Sequence, residues 1–568
     1  MIMVRKKRRI FMRKRMSLKR AAAWGTIFAM TAGLMSGCSA KKEASVTTQE
    51  TKKEETSQTA ETETKTEGKS YADYSKGFPE KVTIKIPVYD RGFEGWDPAN
   101  NYYTNWIQKE FGDKYNVTVQ YVAINRQKEI ADYMQMIAAG NAPDIIFHYD
   151  MPQAVNYNSE GAMQELDLDE IKYYAPDYYK NAEKIINQYG KLDGKNTFFF
   201  AQRNPIYYNW VTLIRQDWLD KVGKQKPATR EELQETAKAW KEAGLGKLGA
   251  QIVNKSYTYE YPFISSSPDK KELNLYLDLN VAPLTWSATK AYLKTMNQEF
   301  NDGILDPEFY LNADDAAWKA DFVAGNAGTY SFYISANTDV INSLKANDPG
   351  AEVSVLDPTA LSPKDSHPYY YKYPPYGMVM GINSKTDEKQ RAAVWMFLNW
   401  MSQPENLFYL QNGVEGANYT LDSDKIAVPV KDFKGESKLS NNNNKDYWCL
   451  VTEMTDYGDD GKNLKANTRM LAPAGYEDLV KQSYDYAKEV EQYGLISPIF
   501  TKSVASTGEY AADLTAMWQE FYVDMITCKP EELDAKYEAY CKEYLDNGYQ
   551  EILDEKQKLI DSGDFIAQ

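Results

Sequence analysis

The sequence predicts an α/β protein, and three patterns carry the prediction. Residues 78 to 147 read as strand, helix, strand, helix, strand, which is the start of a doubly wound α/β unit with a parallel sheet. A helix-rich middle comes next and ends in one apolar strand. The last third is largely helical.

Each element has its own signal. Val82-Thr83-Ile84-Lys85-Ile86-Pro87-Val88 alternates as a strand does, and Val117 to Val122 gives a second strand. Between them, residues 101 to 115 place Trp106, Ile107, Glu110 and Phe111 at helical spacing. Residues 128 to 139 form a helix stopped by Gly140-Asn141, and Pro143 blocks its continuation. Asp144-Ile145-Ile146-Phe147 is a short apolar strand. Helices are expected over 230 to 243, 289 to 301 and 313 to 324, with Thr229 as an N-cap and Glu232 at the capping-box position. Tyr376 to Ile382 is a strand and Lys389 to Met401 a helix. Helical sequence returns over 477 to 493 and 514 to 557.

The front of the chain is different. Arg5 to Arg20 carries ten basic residues and no acid. Ala21 to Ser36 is mostly apolar, and Leu34-Met35-Ser36-Gly37-Cys38 closes the run. A basic part and a short apolar part are the layout of an export signal, too short for a membrane-spanning helix. Leu34 to Cys38 resembles the lipobox of bacterial lipoproteins, which implies cleavage before Cys38 and acylation of its thiol. Lys7 to Arg13 is similar to a twin-arginine motif but reads as a generic basic region, since a start at Met12 or Met16 would leave the pair out. Residues 39 to 75 are Thr, Lys, Glu, Ser and Ala with almost no large apolar residue. They are expected to form a disordered tether spanning on the order of 30–35 Å.

Composition excludes several classes of function. The formal charge is −15, and all ten basic residues before Cys38 lie in the segment expected to be removed, so the mature chain is more acidic still. Phosphate backbones repel such a chain, so nucleic acid is not an expected partner. Two His and three widely spaced Cys after Cys38 form no metal pattern and no disulfide framework. No metal or cofactor is expected, and Cys449, Cys528 and Cys541 are expected as buried thiols. No nucleophile elbow, P-loop or zinc-protease motif occurs. The paired acids Asp314-Asp315 and Asp459-Asp460 read as caps and turns rather than a catalytic pair, so no catalytic residue is assigned. Residues 456 to 467 have the acids of a calcium loop without its final Glu, and read as a turn. The 44 Tyr and 12 Trp are many for an acidic exported chain. Their flat apolar faces and polar rims match the split character of sugars, although most such rings fill cores.

A series of segments then resembles one family in order along the chain. Met136 to Phe147, with its Gly-Asn-Ala-Pro-Asp turn, resembles the helix–Gly–Pro–Asp–strand segment of family 1 extracellular solute-binding proteins, the receptors of ABC importers. Ile214 to Gly223 with Pro227 to Leu233, Phe322 to Tyr330, and Tyr376 to Asn383 with Ala392 to Gly413 are similar to later segments of the same family. Asn412 to Gly416 resembles a loop of its large Gram-positive lipoprotein branch. The resemblance implies a two-lobed periplasmic-binding-protein-like (type II) fold with crossing hinge strands and a helical C-terminal region. It implies a signal peptide over 1–37 and the acylated Cys with its tether over 38–76. One lobe would comprise 77–207 with 384–450, the other 208–383 with 451–568. It also implies a small-molecule ligand, an oligosaccharide first, with peptide, amino acid or polyamine as the alternative; a surface glycan hydrolase is a separate reading that would need two carboxylates facing each other in a cleft. The partner would be the membrane subunits of an ABC permease, and the receptor a monomer held to the membrane's outer face by its lipid alone.

Ligands of open α/β sheets sit at the strand ends. Tyr89, Asp90 and Arg91 follow the first strand, and His148, Tyr149 and Asp150 follow the third. Trp210 lies near the first interlobe crossing. Tyr330, Phe332 and Tyr333 follow Gly328, and Glu415 lies in the late loop. Rings would stack on sugar faces, while Asp and Arg would bond hydroxyls. Arg91 either meets ligand or pairs with Asp90 or Glu94, Trp210 serves ligand or hinge packing, and Glu415 lines the cleft or caps a turn. Trp286 and Trp448 are weaker candidates.

Overall fold

The computed structural model describes residues 69–92, 95–126, 128–203, 210–246, 270–277, 281–312, 316–364, 370–430, 444–453, 455–471 and 475–567. The export signal, Cys38 and the tether up to residue 68 lie outside them, as do Glu94 and the acids Asp314-Asp315. The strands that organise the fold are β1 (Val82–Asp90), β2 (Val117–Asn125), β3 (Ile145–His148), β4 (Phe199–Gln202), β5 (Trp210–Arg215), β6 (Thr329–Tyr333), β7 (Val353–Val355) and β8 (Tyr376–Ile382).

The first core gathers the strands on either side of the helix Glu129–Ala139. β1 and β2 pair in parallel, with Asp90 opposite Asn125 at their ends. The helix Glu129–Ala139 stops as its sequence dictates: Gly140 takes the left-handed conformation (φ 68°) and its N–H caps Ile137 and Met136. The Pro143-Asp144 step then fastens the start of β3. The Asp144 carboxylate accepts the Lys85 N–H (2.6 Å) and the Thr386 hydroxyl (2.7 Å), and Asn383 Nδ2 donates to the carbonyls of Ala142 and Pro143. This segment therefore holds β1, β3 and the end of β8 together, at the opposite end of the sheet from His148.

The sheet does not stay parallel where β8 joins it. β8 inserts between β3 and β4 and runs antiparallel to both. The reason is the path of the chain. β3 and β4 finish at the end where the chain leaves this core, and β8 starts there on its return, so it must run the other way. All of β8 is buried in the first core. The expected lobe boundary at 383/384 thus moves to the N-terminal side of Tyr376.

The second core is built on β5, flanked antiparallel by β6 and β7. Helices Gln216–Val222, Arg230–Glu242, Ile334–Asn347 and Glu477–Val490 cover it. Thr229 caps its helix by accepting the Glu232 N–H, whereas the Glu232 carboxylate reaches one residue further back, to the Ala228 N–H. The family-like segment after β5 is a buried clamp. Arg215 binds Asp217 in bidentate fashion (2.7 and 2.8 Å) and reaches Asp348 (2.9 Å). A helical layer continues this side: Ser287–Asn301 packs on Ala505–Thr527 and Pro530–Tyr544. The expected helical stretch 514 to 557 is several helices, broken at Pro530 and at the left-handed Gly548 (φ 110°). The buried pair Arg230–Glu299 (2.7 and 2.9 Å) ties the layer to the second core.

The tail divides between the two sides. Strand residues 499–500 and 565–566 pair with each other, and Ile499 joins the first core, so 451–568 is not wholly on the second side. Cys449 and Cys528 are buried free thiols, and Cys541 is half-buried. Asp456 to Asp459 form a turn: Asp456 accepts the Gly458 N–H, and Asp459 accepts the Lys462 N–H at the start of the helix Asp460–Leu471.

Candidate functional site

The chain segments that join the two cores are laced together. Gln202 bridges Thr452, the Gln202 N–H donates to the Val451 carbonyl, and the Glu453 N–H donates to the Gln202 carbonyl. Arg203 then donates to the Pro374 carbonyl (3.4 Å) and to Glu453 (3.2 Å). The ends of β1 and β3 reach this junction through Arg91, which binds Asp446, and through Tyr149, which acts on Glu453.

Both strands run further than their sequence pattern marks, so Tyr89, Asp90 and His148 are their last residues and Arg91, Tyr149 and Asp150 follow them; these ends lie close together, but their roles divide. Tyr89 is buried, and its hydroxyl donates to Glu129 Oε1 (2.6 Å). Its ring stacks on Tyr149 (6.2 Å, 15°). Asp90 shapes the turn by accepting the Gly92 N–H. Arg91 pairs with neither Asp90 nor, among the described residues, any near neighbour in sequence. It binds Asp446 through Nε (2.8 Å) and Nη2 (2.9 Å). His148 is buried; Nδ1 accepts the Asp150 N–H (2.9 Å) and Nε2 lies 3.8 Å from Glu129. Burial lowers its pKa, opposed by Asp150. Tyr149 is half-buried and Asp150 exposed, so these two reach solvent where His148 does not.

On the second side, Trp210 packs its ring on Phe332 (5.3 Å) and Tyr333 (5.1 Å). All three are half-buried. Tyr330 lies in the core behind this group, its ring also stacked on Phe332 (6.3 Å). It is 3% exposed and its ring packs on Trp318 and Phe322, because β6 alternates and Tyr330 faces the core. Trp286 and Trp448 are core residues for the same reason of burial. Glu415 is exposed on a turn where the Gly416 N–H donates to the Tyr419 carbonyl, and among the described residues no contact links it to the strand-end cluster.

Several residues of the site were not anticipated. Arg126 ends β2 as Arg91 ends β1, and the same strand-end rule identifies it once β2 is placed. Its guanidinium lies over the rings of Tyr89 (4.9 Å) and Tyr149 (5.6 Å) and donates to Glu129 (2.8 Å). Arg203 stacks on Tyr373 (4.4 Å) and binds Glu453. Lys445, Asp446 and Glu453 come from a segment far along the chain from Arg91 and Arg126, and no local sequence signal marks them.

Two acids under the site have opposite electrostatics. Burial pushes the Glu129 carboxyl up to about 7, outweighing the Tyr89 hydroxyl and Arg126. Glu453 is also buried, but Lys445 and Arg203 overcome that burial and bring it down to about 2. The Tyr149 hydroxyl acts in the same direction. Glu453 therefore stays ionised at the junction. Gly377 in β8 makes room for it, since a Cβ there would stand 2.0 Å from Glu453 Cγ. A line of neighbours runs from Tyr149 to Glu453, Arg203 and Tyr373, and Tyr333 acts electrostatically on Tyr373 beside Trp210. Rings thus stand on both sides of the junction, and the guanidinium groups stand on the first side and at the crossing.

A sequence profile for the family described as bacterial extracellular solute-binding protein matches residues 106–413. The polygalacturonan/rhamnogalacturonan-binding protein YtcQ of Bacillus subtilis is 23% identical over 317 residues, 52% of this chain and 61% of that protein. Lipoprotein LipO of the same organism is 22% identical over 266 residues, 44% of this chain and 52% of that protein. The match thus spans about three fifths and about half of the length of these two relatives. Among solved structures, the alginate-binding protein AlgQ2 without calcium ion has a TM-score of 0.61 at 19% identity, covering 86% of this chain and 100% of that one. The substrate-binding protein FusA of S. pneumoniae in complex with kestose has a TM-score of 0.58 at 16% identity, covering 84% and 99%. At these identities the likeness speaks to fold alone, and the fold is the two-lobed α/β architecture expected from the sequence.

Proposed function

We propose, for a chain that belongs to the family of bacterial extracellular solute-binding proteins, that its solute is an oligosaccharide held between the two lobes and delivered to an ABC permease. The observation that carries this reading is the run of rings about the Arg203 guanidinium, from Tyr149 through Tyr373 to Tyr333 and Trp210. Rings stack on the C–H faces of sugars, and fixed N–H and carboxylate groups pair with hydroxyls. YtcQ and AlgQ2 are named for polysaccharides and FusA holds kestose, which supports the same class of ligand. A site built to bond hydroxyls discriminates against ligands that lack them, because its own polar groups would be left unpaired.

The working cycle rests on differential binding. A ligand that touches both sides of the junction gains its full contacts only when the lobes close on it, so binding shifts the population towards closure. The permease reads that closed form. No bond in the ligand is broken. Cys38 carries the lipid, and the receptor acts as a monomer on the outer face of the membrane.

Thermal-shift screening tests the reading, since a ligand at a hundred times its Kd stabilises the fold by about 2.7 kcal/mol. A panel of neutral and acidic oligosaccharides is compared with peptides, amino acids and polyamines. Stabilisation by at least one glycan is expected. Stabilisation by peptides or polyamines alone would overturn it.

A further inference from the structure

The oligosaccharide reading is the base for one step more, towards the chemistry of that sugar. β1 and β2 are in register to their ends, so Arg91 and Arg126 leave the sheet side by side, and the Arg126 N–H donates to the Asp90 carbonyl (2.9 Å). Both guanidinium groups stand over the same ring, Tyr89, at 5.3 and 4.9 Å. Two like charges at one ring oppose each other unless an anion lies between them.

Their protein partners leave that need open. Asp446 takes Nε and Nη2 of Arg91, and Glu129 takes Nη1 of Arg126. Among the described residues, Nη1 of Arg91 and both Nε and Nη2 of Arg126 have no partner. The two carboxylates are buried, each 3% exposed, whereas the arginine side chains are 20% and 39% exposed. The acids therefore lie beneath and the N–H edges face out. Glu129, pushed up to about 7, only partly offsets Arg126 at neutral pH. The exposed acid of the group, Asp150, lies against His148 on β3 (3.7 Å). The two outward edges share one ring, so a single planar anion can span them.

We infer that Arg91 and Arg126 form a carboxylate site and that the oligosaccharide is acidic, a chain of uronic acid units. One uronate carboxylate bridges the free edges of the two guanidinium groups, a geometry to which arginine is suited. The Tyr149 ring, which Arg126 already touches, takes the face of the same sugar.

The test is isothermal titration of the full-length chain with galacturonate and mannuronate trimers, galactose and mannose trimers of the same linkages, and an acidic tripeptide. An acidic trimer is expected to bind about tenfold or more tighter than its neutral counterpart, with an affinity that falls as salt rises. Arg126→Gln is the chosen variant because Glu129 can take up a proton when its partner is lost. Its Tm reports the fold, and Arg126→Lys keeps the charge without the planar edge. The acid-to-neutral ratio is expected to collapse by about tenfold or more in Arg126→Gln and to recover only in part in Arg126→Lys. Neutral trimers binding as well as acidic ones, no binding of either acidic trimer, or an unchanged ratio in Arg126→Gln would overturn the inference. In the first case the oligosaccharide reading stands. Binding of the tripeptide alone would overturn both.

Discussion

Replacing Glu453 by Gln removes a strongly ionised acid at the junction, and the structure sets the size of the effect. Glu453 is buried, accepts from Arg203 at 3.2 Å and lies 3.4 Å from Lys445. Its pKa is about 2 against an ordinary 4.5, a difference worth about 3 kcal/mol at neutral pH. Breaking a buried pair from one side costs about 3–5 kcal/mol, and the contacts Arg203 keeps with Pro374 and Tyr373 place this case at the lower end. A group with a depressed folded pKa contributes its full stability above its unfolded pKa and loses it as pH falls through the folded value. The wild-type advantage over Glu453→Gln is thus about 3 kcal/mol at pH 7 and shrinks as pH drops from about 4.5 towards 2. Urea unfolding followed by tryptophan fluorescence at pH 7, 5, 4 and 3 measures it. A loss below about 1 kcal/mol at pH 7, or a gap that stays constant down to pH 3, would refute the reasoning.

Three other perturbations have defined outcomes. Arg230→Met leaves Glu299 buried without its guanidinium and is expected to cost about 3–5 kcal/mol in urea unfolding, while Arg230→Met with Glu299→Leu recovers most of it. Glu129 has a raised folded pKa, so the folded state keeps a proton that the unfolded chain releases. Its cost appears as pH rises from about 4.5 through about 7. Glu129→Gln should therefore match the wild type near pH 4 and exceed it at pH 8 by up to about 3 kcal/mol, read from Tm against pH. Tyr149→Ala should weaken oligosaccharide binding about tenfold in calorimetry, whereas Tyr330→Phe, a change inside the second core, should leave affinity unaltered.

The parts legible in the sequence were those with local causes. Alternating apolar residues marked β1 and β2, a continuous apolar run marked β8, Gly140 and Pro143 showed where a helix must stop, and Thr229 announced its cap. Strand ends pointed to Tyr89, Arg91, Tyr149 and Asp150. The hidden parts depend on partners distant in sequence. The direction of β8 is set by where the chain re-enters the first core, and nothing within Tyr376 to Ile382 encodes it. Asp446 joins the candidate site through Arg91, and Glu453 through Arg203 and the Tyr149 hydroxyl. Tyr330 and Tyr333 are an odd number of residues apart in β6 and so face opposite sides of it. Which side is core is decided by Trp318 and Phe322 on a separate helix, against which Tyr330 packs.

Small-angle scattering with and without a saturating oligosaccharide bears most directly on the central idea of two lobes closing on one sugar. The ligand is first chosen by calorimetry, so that occupancy is known. A smaller radius of gyration in the bound sample is the predicted result. An unchanged radius at full occupancy would contradict it, because the sugar would then sit on one lobe without drawing in the other.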